Sequence, residues 1–246
     1  MSSINLQAKW LESDIKAIVL EHMRAKNLIS DRDVIINEFT VDDYSRRADI
    51  VIVRDYDVIA VEVKSEFDTL ARLKGQTEKY SQFFDKVIVA ATSNHIPKAT
   101  TQTHSSVELW EVTDNGVAIK RRGKKSPVKD KSILFKMMTL RELSTVATKH
   151  GFSEKKRTRT NLECFLQSKS VRLLREEAIN CLRKRYAMTS NYFWKNISNK
   201  PISANSLQAL SFASVQKAAQ QNSSTTWLSN ISLDLDALTF KHESID

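Results

Sequence analysis

Two short apolar runs, Asp49-Ile50-Val51-Ile52-Val53 and Val58-Ile59-Ala60-Val61-Glu62-Val63, are separated by the polar stretch Arg54-Asp55-Tyr56-Asp57. Runs of this length, rich in β-branched residues, predict strands, and so short a break predicts a hairpin. If the hairpin closes between Asp55 and Tyr56, Val53 meets Val58 and Asp49 meets Glu62. Two carboxylates then stand opposite each other, with β-carbons roughly 5 Å apart. The same rule pairs Arg47 with Lys64. Lys64 lies two residues beyond Glu62, so both project from one face of the sheet. A single-residue slip would destroy this arrangement.

The surrounding pattern predicts an α/β fold. Leu11 to Ala25 has helical spacing, with Trp10, Leu11, Ile15, Ile18, Val19 and Met23 apolar. Val34 to Phe39 predicts a first strand, Thr69 to Phe84 a helix, and Lys86 to Ala91 a strand buried on both faces. Val107–Val112 and Val117–Lys120 predict a second hairpin, turning at Asp114-Asn115-Gly116. After Gly123, Lys124-Lys125-Ser126-Pro127 reads as a linker. Helices follow within 133–150 and 161–186, and the chain turns polar from about Asn199, with one helix near Leu207–Gln220. The division is 1–123 for the sheet-bearing domain, 124–198 for a basic helical region and 199–246 for a polar extension.

Four glycines and three prolines are too few for a turn-rich all-β fold. Two cysteines without a paired spacing argue against a disulfide framework and a zinc site. With no basic, apolar leader at Met1–Asn5 and no run near the ~20 residues of a membrane span, a cytoplasmic protein is expected. The formal net charge is +9, and the sequence pI is about 9.5. Between Lys120 and Arg159 only Asp130, Glu142 and Glu154 oppose a long series of lysines and arginines. An excess of this kind suits a polyanion such as DNA. Candidate phosphate contacts are Lys124, Lys125, Lys155, Lys156, Arg157 and Arg159.

Facing carboxylates repel, and a divalent cation would reverse that. Mg²⁺ takes one or two carboxylates together with water or phosphate oxygens. Asp49 opens a strongly apolar strand, a costly place for a charge without a role. Gln76 and Tyr80 lie four apart on one helix face. Asp49, Glu62-Val63-Lys64 and Gln76-x-x-x-Tyr80, with the order of elements around them, resemble the PD-(D/E)XK nuclease superfamily over roughly residues 10–92. The resemblance implies a restriction-endonuclease-like αβββαβ core with a mixed central sheet, followed by an α-helical C-terminal region.

It further implies a metal-dependent deoxyribonuclease of restriction, phage defence or repair. Asp49, Glu62 and the Val63 carbonyl would hold Mg²⁺ or Mn²⁺, Lys64 would be the catalytic lysine, and Gln76 and Tyr80 accessory residues. Glu12 is the candidate supporting glutamate of the first helix, with Glu21 the alternative and Glu38 of the first strand another. Asp49 follows Ala48 where the family has proline. A junction resolvase, or a non-catalytic DNA-binding or assembly subunit with the same core, are the alternatives. A homodimer or a partner protein would engage the C-terminal region. Thr139–Leu143 through Phe165–Leu166, with its basic middle, resembles helix–extended-loop–helix DNA-binding modules of the SAP type. Tyr192, Phe193 and Trp194 are assigned to the core rather than to base stacking. His95 has no partner histidine and is not assigned to an HNH site.

Overall fold

The structure is a computed structural model, and it describes residues 10–41, 46–198 and 200–221. The core is one six-stranded sheet in the order β1-β2-β3-β4-β5-β6. Its strands are β1 (Val34–Val41), β2 (Arg46–Val53), β3 (Val58–Lys64), β4 (Lys86–Thr92), β5 (Glu108–Thr113) and β6 (Gly116–Arg121). The β3–β4 and β4–β5 pairs are parallel and the others antiparallel, so the sheet is mixed. Helix α1 (Glu12–Ala25) precedes the sheet, α2 (Leu73–Phe83) joins β3 to β4, and α3 (Ile96–Gln102) joins β4 to β5. Helices α4 (Lys131–Lys136), α5 (Leu140–Lys149), α6 (Arg159–Leu166), α7 (Val171–Ile197) and α8 (Phe212–Gln221) follow.

The hairpin register is the one expected from the sequence: Val53 pairs with Val58, Ile52 with Ile59, Val51 with Ala60 and Ile50 with Val61. The second hairpin turns at Asp114-Asn115, with Gly116 at φ +104°, a conformation glycine takes without steric cost. Helix α3 was not expected. Pro97 in its first turn and its run of threonines give it little helical signature, and burial of Ile96 and Ala99 holds it in place.

Layers cover both faces of the sheet, which is why β3 is buried at every position. On one face Val51, Val53, Ala60, Val87 and Val89 meet α2 and the helices beyond Gly123 through Leu134, Leu143, Leu162, Leu174 and Leu182. On the other, Ile50, Ile52, Val61 and Ile88 meet α1 and the far end of α7 through Ile15, Val19, Phe193 and Trp194. The 27 residues of α7 serve both layers. In passing the β1 edge, Ser190 accepts the Ile35 N–H at 3.0 Å, satisfying a donor on an edge strand. Phe193 and Trp194 are core residues, and the Trp194 indole donates to the Asp33 carbonyl at 2.9 Å.

The segment after Asn199 also takes part in this second layer. Ile202, Leu207, Ala209 and Leu210 are buried there, the last three on a 3-10 helix (Ala204–Leu210). The helix expected near Leu207–Gln220 begins only at Phe212. Residues 222–246, most of the expected loose end, lie outside the described residues.

Nor is the stretch 124–127 a free linker. Ser126 N–H donates to the Asp85 carbonyl at 2.8 Å, and Val128 N–H to its carboxylate at 2.9 Å. The same carboxylate accepts Val58 N–H at 2.7 Å and both terminal nitrogens of Arg175 at 2.6 Å. Asp85 thus joins the hairpin, the crossing segment and α7 at one fully buried point. Removing one partner of a buried ion pair leaves the other charge without compensation. Arg175→Ala should therefore lower stability by about 3–5 kcal/mol, measured by urea unfolding.

Candidate functional site

Strand pairing breaks down around Asp49. In β1 and β2, Asn37 pairs with Ile50 and Phe39 with Ala48, and the opposed positions between them are Glu38 and Asp49. Glu38 has φ +62°, unusual for a residue with a side chain. Alternation reverses there: Ile36 and Val51 face the same layer as Phe39 and Ala48. The ladder with β3 stops one step away, at Ile50–Val61. The Asp49 carboxylate accepts the Val63 N–H at 2.6 Å, so a side chain takes up a donor beyond the last paired rung.

Glu62 and Lys64 project from β3 beside this opening. Glu62 is 1% exposed and Lys64 8%. The Lys64 ammonium donates to Glu62 Oε1 at 2.6 Å, and the Gln76 amide of α2 donates to the same oxygen at 2.5 Å. The Tyr80 hydroxyl, one turn further along α2, donates to the Arg47 carbonyl at 2.6 Å and so holds the start of β2. Glu62 Oε2 and Gln76 Oε1 are buried without a hydrogen-bond partner. His95 Nε2 donates to the Ser65 carbonyl at 2.8 Å, tying down the end of β3. Arg47 does not face Lys64 as expected, because β2 and β3 have parted by then, and it pairs with Thr40 of β1.

Burial raises the Asp49 pKa to about 7. The neighbouring Glu62 adds to the rise, while the Val63 N–H and Lys16 oppose it. Burial likewise raises Glu62, against the pull of the Lys64 ammonium. The Tyr80 phenol is raised by burial and by Glu62, so it stays protonated at neutral pH.

Of the supporting glutamates, Glu12 is near enough to push Asp49 upward, and it pairs with Lys16 at 2.6 Å. Glu38 pairs with Arg47 at 3.0 Å. Glu21 is turned to other work, accepting Arg24 and the Ile202 N–H. Sequence reasoning missed Lys16, 4% exposed among Glu12, Asn37 and Glu38. Its i, i+4 spacing from Glu12, beside the apolar Ile15 and Val19, was the available signal. Among the described residues, no group of three or more His, Cys, Asp or Glu side chains is placed to hold a metal.

The basic residues divide. Lys124, Lys155 and Lys156 are exposed. Lys125 pairs with buried Asp57 at 2.5 Å. Arg157 folds back onto α5, and Arg159 turns inward to the Met138 carbonyl at 2.7 Å and Glu163 at 2.7 Å. No helix among the described residues is long and apolar enough to cross a membrane.

Residues 6–211 match the family described as bacteriophage P4 protein cII. The chain belongs to that family. Protein cII of Enterobacteria phage P4 is 29% identical over 219 residues, spanning 87% of this chain and 80% of the phage protein. A solved protein of unknown function from Silicibacter pomeroyi aligns with a TM-score of 0.39 and 17% identity, over 62% of this chain and 100% of that one.

Membership corrects the assignment to the PD-(D/E)XK nucleases, and with it the expected Mg²⁺-dependent deoxyribonuclease, hydrolase and resolvase activities. The matched range contains the carboxylate pair and the basic helices together, and its family is a different one. Asp-(x)-Glu-x-Lys on adjacent strands is a short pattern, and here its Glu62 and Lys64 form a closed ion pair inside the protein.

Asp49 provides a direct test of this electrostatic arrangement. Its folded-state pKa lies above the unfolded value of 3.8, so folding takes up a proton between about pH 4 and pH 7. That contribution to stability is complete below the unfolded pKa and is lost as pH rises through 7. Asp49→Asn keeps an acceptor for Val63 and removes the charge. In metal-free buffer the variant should gain on wild type by a few kcal/mol between pH 4 and 8, about 4 at most, read from denaturant midpoints at each pH.

Proposed function

We propose that this chain is a phage regulatory protein that acts by binding DNA. The observation that carries the reading is the family match across residues 6–211, on a chain with a net charge of +9. The cations concentrate from the last strand onward, between Lys120 and Arg159. Lysines and arginines that meet phosphates supply affinity with little sequence information.

The order α1, β1–β3, α2, β4 supports reading the core as a restriction-endonuclease-like αβββαβ unit, used as a scaffold. A fold of that kind does not bring its enzymatic activity with it. Free Cys164 and Cys181 accord with action in the reducing cytoplasm.

The carboxylate pair supports a companion reading, that Asp49 and Glu62 hold Mg²⁺ or Mn²⁺, with the Val63 carbonyl as a further oxygen. The specific observation is the buried, unpartnered Glu62 Oε2 beside a second carboxylate. Two hard-oxygen groups match a cation that keeps much of its water shell. Its part would be to relieve their repulsion and brace the parted strands.

Fluorescence anisotropy with labelled duplex DNA tests the main reading. Affinity should fall steeply as salt rises, with a log–log slope of about −0.9 for each phosphate contacted, and the DNA should be recovered intact after incubation with Mg²⁺. Absence of binding, or binding indifferent to salt, overturns it. For the cation, Mg²⁺ or Mn²⁺ should raise the melting temperature of wild type and leave Asp49→Asn and Glu62→Gln unmoved. Equal shifts in all three would dismiss the site.

A further inference from the structure

We infer that the turn between α5 and α6 is the surface that grips the phosphodiester backbone of duplex DNA. The inference rests on the DNA-binding reading above and assigns it a place. The turn has no regular secondary structure, yet it is fixed from both ends. Phe152 is buried, its ring edge-to-face with Phe165 at 5.2 Å. The Arg157 guanidinium lies over the Phe152 ring, 5.6 Å from its centroid. It also donates to Ser144 Oγ at 2.8 Å and Thr148 Oγ1 at 2.7 Å, both on α5. Thr158 caps α6 by accepting the Asn161 N–H, and the Asn161 side chain donates to the Lys156 carbonyl at 3.2 Å.

Lys155 and Lys156 lie between these anchors and are exposed. Arg141 is exposed on the side of α5 that also carries Thr145 and Thr148, at i, i+4 and i+7. The neighbouring acids are occupied. Glu142 is held by Arg185 and the Thr139 N–H, Glu163 by Arg159, and Glu177 by Lys149 and His150. Glu154 is the exposed acid of the turn. Among the described residues no ion pair involves Arg141, Lys155 or Lys156.

Exposed cations on a preformed turn suit regularly spaced phosphates, because little ordering is needed on binding. Lysine charges contact phosphates without reading bases. The surface therefore fits backbone binding of any duplex sequence, with base discrimination supplied elsewhere.

The test compares the full chain with Arg141→Ala/Lys155→Ala/Lys156→Ala and with Lys26→Ala/Lys98→Ala, which removes cations from other surfaces. A duplex DNA of arbitrary sequence is the probe, and duplex RNA the competitor. The triple variant should melt with wild type, bind about tenfold or more weakly, and lose about 2–3 from the log–log salt slope. The double variant should bind as wild type does. If wild type binds and the triple variant matches it in affinity and slope, the surface is misassigned and the DNA-binding reading survives. If wild type does not bind, both fall. Preferential displacement by RNA overturns the assignment to DNA.

Discussion

Because β3 is buried along its whole length, each polar group on it needs a partner within the protein. Glu62 and Lys64 meet that demand largely through each other and Gln76. The strand cannot shed either charge to solvent, since α2 lies on that face and α1 on the opposite one. The carboxylate oxygen left over, the raised Asp49 and the parted strands all follow from placing acids in a sheet covered on both faces.

The opening beside Asp49 is a local failure of alternation with a definite function in the fold. Two strands reverse their facing at Glu38 and Asp49, and the Asp49 carboxylate replaces a backbone acceptor for Val63. Tyr80 restrains the freed end of β2 by its bond to Arg47. The distortion is thus held from α2 as well as from the sheet.

The helices beyond Gly123 complete the core of the sheet. Asp85 gathers donors from β3, the crossing segment and α7, while Leu134, Leu143, Leu162 and Leu174 extend one apolar layer from the strands outward. A basic surface carried on these helices is therefore fixed relative to the sheet. Its cations divide by pairing: Arg159 and Lys125 are bound to Glu163 and Asp57, while Lys155 and Lys156 are exposed.

By itself the sequence determined the strands and their hairpin register from Ile50–Val61 to Val53–Val58, because side-chain period and loop length act over a few residues. It also showed where positive charge gathers. Helix α3, the ion pair that closes Lys64 onto Glu62, the inward turn of Arg159 and the Asp85–Arg175 joint were decided by tertiary structure. The Asp85–Arg175 joint spans 90 positions, and the others depend on burial, which local spacing does not record. The short carboxylate–lysine motif misdirected the functional reading for the same reason. Letters in a row give residue types and spacing, whereas the environment into which the side chains fold decides what those residues do.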